Sequence, residues 1–171
     1  RHREDLDRPS IFLAGPIRSA GNWHQEAIHH ILEQSQDVVV VCPSERKSLP
    51  KHFETHLLQG EEGRFKSKLD WERHYLQRSA RTGCILFWLA PRPESAKSRN
   101  KVFGATTRLE LGLWLGKYSA DPSLRLCFGA HRDFPESRSL TYYIKTESPG
   151  ASVHKTLPEL CEQAVDLALR R

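Results

Sequence analysis

Four short apolar runs, each too brief for a helix and each closed by glycine or proline, constrain this chain most. Ile11-Phe12-Leu13-Ala14 runs into Gly15-Pro16, and Val38-Val39-Val40-Val41-Cys42 runs into Pro43. Cys84-Ile85-Leu86-Phe87-Trp88-Leu89 is followed by Pro91 and Pro93, and Leu124-Arg125-Leu126-Cys127-Phe128 by Gly129. Apolar runs without polar alternation belong to buried strands of a parallel sheet. The valine run, β-branched and uninterrupted, predicts a central strand covered on both faces. Tyr142-Tyr143-Ile144 is the candidate for a fifth strand.

The segments between these runs have helical periodicity. Asn22 can cap a helix that places Trp23, Ala27, Ile28, Ile31 and Leu32 on one face. Ser67 with Asp70 three residues later has capping-box spacing, and Leu69, Glu72, Arg73, Leu76 and Ala80 continue that helix. Thr106 or Thr107 is the expected cap of a helix through Leu109, Leu113 and Trp114 to Lys117. Thr156 starts a last amphipathic helix bearing Leu157, Leu160, Cys161, Ala164 and Ala168.

Strands alternating with helices predict a single α/β domain over residues 10–171, after a charged tail at 1–9. The expected architecture is a parallel sheet with helices on both faces. Ligands of such sheets bind beyond the carboxyl ends of the strands, where strand order reverses. The loops after Ala14, Cys42, Leu89 and Phe128 therefore ring the expected pocket. Residues 43–67, polar and aperiodic with Pro50, Gly60 and Gly63, read as a lid or binding loop.

Composition then removes whole classes of function. The 171 residues suit one domain, and no stretch approaches the roughly 18 apolar residues that span a bilayer. Arg1 to Pro9 carry no signal-peptide core, and the four cysteines sit singly in apolar segments. The expectation is a soluble cytoplasmic protein with buried free thiols and no membrane contact. A net charge of +5, from 26 basic and 21 acidic residues, suits small anionic substrates; the scatter of the basic residues predicts no dedicated nucleic-acid binding. No Gly-x-Gly-x-x-Gly, Gly-Lys-Ser/Thr or Gly-x-Ser-x-Gly occurs in the chain. Of the nine histidines, only His52 and His56 have a ligand-like spacing of four, in a charged loop. No metal and no cofactor are expected.

What remains are carboxylates placed at strand ends. Ile11 to Ile17, Trp23 with Glu26, Asp70-Trp71-Glu72, Ile85-Leu86-Phe87-Trp88, and Gly104-Ala105-Thr106-Thr107-Arg108-Leu109-Glu110-Leu111-Gly112 occur in this order. Together they resemble the nucleoside 2-deoxyribosyltransferase-like family, over roughly residues 10 to 118. The resemblance implies a flavodoxin-like sheet of five parallel strands, cleavage of an N-glycosidic bond, and no cofactor. The Thr-Thr-x-x-Glu-x-Gly pattern is similar to a less characterised branch. In that branch Gly104 stands where well-studied transferases carry an acid for the sugar hydroxyl.

The resemblance assigns Glu110 as the nucleophile, because an anion must capture an oxocarbenium-like carbon. Gly112 beside it is expected to allow close approach of the helix to ligand or sheet. Asp70 and Glu72 both qualify as the second catalytic acid. Gly15, Pro16, Ile17 and Arg18 form the loop that lies against the sugar, with Arg18 able to grip a 5′-phosphate. Trp88, Gly104, Thr106 and Thr107 complete the expected substrate contacts. The implied substrate is a small nucleoside or nucleotide, transferred or hydrolysed, with a 5′-monophosphate N-glycosidase as the close variant. A non-catalytic nucleotide-sensing module is the alternative from another class. The family resemblance also implies a homo-oligomer.

Overall fold

The computed structural model describes residues 7–17, 20–44, 65–94 and 102–170. Five parallel strands form one sheet: β1 (Ser10–Ala14), β2 (Val39–Val41), β3 (Cys84–Leu89), β4 (Leu126–Ala130) and β5 (Val153–His154). Their order is β2-β1-β3-β4-β5. Among the described residues five helices connect and follow them: α1 (Trp23–Gln34), α2 (Lys68–Thr82), α3 (Ala105–Ala120), α4 (Ser137–Glu147) and α5 (Leu157–Leu169). The chain is a doubly wound α/β domain of flavodoxin-like topology, as the strand–helix alternation predicts.

Register decides which side chains share a face. Ala14 pairs with Phe87 and Phe87 with Phe128, so these residues and Phe12 point to one side. Leu13, Leu86, Trp88 and Gly129 point to the other. On the first side α2 packs against β1 and β3, bringing the Trp71 ring 6.4 Å from Phe12. On the second side α5 packs on β3, β4 and β1, and α1 packs on α5. Ile11, Cys84, Ile85 and Leu86 are wholly buried between these layers, and burial of each large apolar side chain contributes ~1.5–3 kcal/mol. The Cys84 and Cys127 sulfurs lie 3.5 Å apart as free thiols. No helix of the described residues is long and apolar enough to cross a membrane.

Several elements depart from the sequence reading. The valine run is an edge strand, β2, with Val39 and Val40 only half-buried. β-Branched density reports a preference for extended backbone, whereas position in the sheet follows from which way each crossover turns. Tyr142, Tyr143 and Ile144 are helical, in α4, and the fifth strand is the two-residue Val153–His154. Only Ile144 of the three is buried, which is a helix burying one face rather than a strand burying both. Gly129 does not end β4; the strand runs to Ala130, and the missing side chain makes room for Trp88 and Leu160. Thr106 and Thr107 are not caps, because α3 begins at Ala105 behind Gly104. Most of the expected lid, 45–64, lies outside the described residues.

Candidate active site

The order β2-β1-β3 places the reversal of winding between β1 and β3, and α2 lies across those two strands. Helices in this fold run against the strands, so the first turns of α2 and α3 lie at the carboxyl edge of the sheet. Each helix carries a glutamate in its second turn, Glu72 on α2 and Glu110 on α3.

Ser67 caps α2: its hydroxyl oxygen accepts the Asp70 N–H at 3.1 Å and the hydroxyl donates to Asp70 Oδ2 at 2.9 Å. Asp70 is exposed and its carboxylate is engaged in the cap. Glu72 projects elsewhere on the helix; its side chain is only 16% exposed and lies 3.8 Å from Lys68 Nζ. An ion pair with so exposed a lysine contributes little to stability.

α3 starts at Gly104, whose φ of 67° is left-handed backbone, and a Cβ there would meet the Phe134 ring at 2.9 Å. Arg108 fastens this start. Its guanidinium donates to the carbonyls of Phe103 and, at 3.0 Å, Pro135, and it lies 4.9 Å from the centre of the Phe134 ring. Thr107 is buried within the first turn, and Thr106 is exposed beside it. Glu110, one turn on from Thr106, is half-buried. Its pKa is raised to about 6, first by that burial and then by the negative charge of Glu72.

The Glu72 charge thus acts on Glu110, while the Asp70 carboxylate is engaged in the helix cap. Exposed leucines flank the pair: Leu69 on α2, and Leu109 and Leu113 on α3. No described atom lies within 4 Å of a Cβ at Gly112, so the helix makes no close approach to the sheet at that glycine. Two carboxylates at one edge of the sheet can divide the work of one anion and one proton carrier.

The first loop adjoins β3. A Cβ on Gly15 would lie 2.5 Å from the Trp88 carbonyl oxygen and 2.6 Å from the Trp23 ring. Pro16 is buried, and its carbonyl accepts the Trp23 indole N–H at 2.8 Å, which pins the loop to α1. Ile17 is half-buried, and Arg18 lies outside the described residues. Trp88 is 4% exposed and points to the face opposite α2, where its ring stands 6.5 Å from that of His131. It is placed as a core residue, away from the glutamate pair.

Sequence reasoning passed over two residues near this loop and helix. His24 is buried and stacked on Trp23 at 3.7 Å, with no hydrogen-bond partner for Nε2. Burial lowers its pKa to about 4, so it is neutral across physiological pH. Arg108 is the other, and only the Phe103 and Pro135 carbonyls reveal its part. Burial pushes the Cys42 thiol up to about 11 and Cys161 to about 12, and Cys127 also rises through burial. These three are protonated at neutral pH and are poor nucleophiles. Among the described residues no group of three His, Cys, Asp or Glu is placed to hold a metal ion.

Compared with known proteins, the chain matches no family model, no curated protein and no solved structure.

Proposed function

We propose that this protein cleaves the N-glycosidic bond of a nucleoside or nucleotide, with Glu110 as nucleophile and Glu72 as the proton-handling acid. The observation that carries the proposal is the pairing of these two glutamates at the carboxyl edge, beside the reversal between β1 and β3. Its chemical identity rests on the sequence resemblance to nucleoside 2-deoxyribosyltransferases.

In this scheme a Glu110 carboxylate oxygen bonds to the anomeric carbon as the carbon–nitrogen bond breaks. The leaving base keeps the electron pair and takes a proton from water, relayed through the Glu72 carboxylate. A second base, or water, then attacks the same carbon and releases Glu110. With a pKa of about 6, Glu110 is about nine-tenths ionised at pH 7, as a nucleophile requires. In this scheme the first loop, which the Trp23–Pro16 hydrogen bond ties to α1, contacts the sugar.

The test is incubation with pooled nucleosides and nucleotides, with and without a second free base, read by mass spectrometry. New nucleosides indicate transfer; free base and sugar alone indicate hydrolysis. A 2-fluoro-arabinosyl nucleoside should leave one sugar on the protein, mapped to Glu110. Turnover undiminished in Glu110→Gln would overturn the assignment. Ligand binding without turnover of any substrate would favour the sensing module.

A further inference from the structure

Away from the glutamate pair, the carboxyl ends of β4 and β5 and one face of α4 border an open cavity of about 570 Å³. That volume lies within the usual ~300–1,000 Å³ of small-molecule sites. Arg138, Thr141, Tyr142 and Lys145 line one wall, at the i, i+3, i+4, i+7 spacing of a single helical face. Lys155 and His154 line the opposite wall, with His131 and Arg132 at the end of β4. Among the described residues no acidic side chain lines it.

The pairing of charges around this cavity is uneven. Asp133 lies 3.6 Å from His131 and 3.8 Å from Arg132, and Glu159 lies 4.0 Å from His154. Among the described residues, Arg138, Lys145 and Lys155 have no carboxylate partner. Three uncompensated cations around a concave surface raise the local concentration of anions. Arg138 and Lys145 are seven residues apart on α4, about 10 Å along the axis, which is more than one phosphate spans. Between them Tyr142, 67% exposed, presents an aromatic ring.

We propose that this cavity binds a nucleoside polyphosphate, with Arg138, Lys145 and Lys155 on the phosphates and Tyr142 against the base. A nucleic-acid strand offers the same phosphate and base chemistry. The single exposed ring in the lining favours a free nucleotide, since strand binders use a track of several stacking rings. The site shares no lining residue with the carboxylate pair, so its occupancy is independent of whether the glycosidic reading holds.

Calorimetric titration of the full chain at physiological salt tests this, with ATP, inorganic tripolyphosphate and a short oligothymidylate as separate probes. ATP should bind saturably at one site per chain. Arg138→Ala/Lys145→Ala should weaken ATP and tripolyphosphate by ~10-fold or more, as expected for lost charged contacts. Tyr142→Ala should weaken ATP by ~5-fold or more and leave tripolyphosphate unchanged. Glu110→Gln should bind ATP as the wild type does. Arg81→Ala/Arg170→Ala removes the same charge at the other edge of the sheet and should also bind normally. All these side chains but that of Glu110 are exposed, and matched melting curves would confirm folding. Equal weakening by the remote pair would overturn the proposal in favour of diffuse attraction. Tighter binding of oligothymidylate than of ATP would overturn it in favour of a nucleic-acid surface. No saturable binding of ATP would overturn it outright.

Discussion

The negative charge of Glu72 reaches Glu110 across the gap between α2 and α3, adding to burial to hold the Glu110 pKa near 6. A single buried carboxyl is a common accident of packing. A second one acting on it, from another helix at the same edge of the sheet, is an arrangement with a chemical use.

Removing the Glu72 charge should therefore lower the Glu110 pKa without restoring it to the ordinary value, because burial remains the larger cause. Carboxyl carbon NMR of Glu110 in wild type and Glu72→Gln reads this directly. In a turnover assay the acid limb of the pH profile should move down with it. An unchanged Glu110 titration would show that the two groups are not coupled.

Glu110 also links stability to pH, with a sign that opposes its role in turnover. Its folded pKa, about 6, lies above the ordinary 4.5, so the folded chain binds the proton more tightly. Stability is then greatest below the unfolded value and falls as pH rises from about 4.5 to about 6. The loss is ~1–2 kcal/mol before discounting for partial exposure, and ~1 kcal/mol after it. Glu110→Gln should accordingly melt ~2–4 °C higher than wild type at pH 7.5 and within error of it at pH 4. A lower melting point at pH 7.5 would mean the carboxylate is stabilising.

The glycines near the site separate by sign. Gly15→Ala drives a methyl into the Trp88 carbonyl and the Trp23 ring, and should destabilise by ~1–3 kcal/mol in urea titrations. Gly112→Ala and Gly116→Ala meet no described atom within 4 Å on an exposed helix face. Each should stabilise by ~0.5–1 kcal/mol, the helix preference for alanine.

Arg108→Lys keeps the charge and loses the fork that joins the Phe103 and Pro135 carbonyls. We expect destabilisation of ~1–3 kcal/mol in the same titrations. Because Arg108 fixes the start of the helix that carries Glu110, turnover should fall more than substrate affinity. A stable variant with normal turnover would reduce Arg108 to an ordinary surface contact.

Much of this architecture was legible in local pattern. β1, β3 and α5 follow from unbroken apolar runs and from the spacing of Leu157, Leu160, Cys161, Ala164 and Ala168, all five of them buried. The Ser67–Asp70 cap is local as well, since its partners are three residues apart. These features depend on neighbours in sequence, so one chain read linearly contains them.

Tertiary structure decided the rest, for reasons of geometry. Asp70 and Glu72 are two positions apart, about 200° around a helix, so they face different surroundings, and only the packing of α2 on β1 and β3 shows which one meets Glu110. The valine run had the composition of an interior strand, and its edge position came from the direction of a crossover that no residue in it specifies. Tyr142-Tyr143-Ile144 suits either element over three residues; the buried face of α4 settled it as helix. Arg138, Lys145 and Lys155 are ordinary surface cations in sequence, and they become a site only because α4 and β5 fold around one cavity. Sequence by itself determined the first four strands, the helices α1, α2, α3 and α5, and the nucleophile candidate. Which side chains meet, and at what pKa, was determined by burial and by charges brought together from distant parts of the chain.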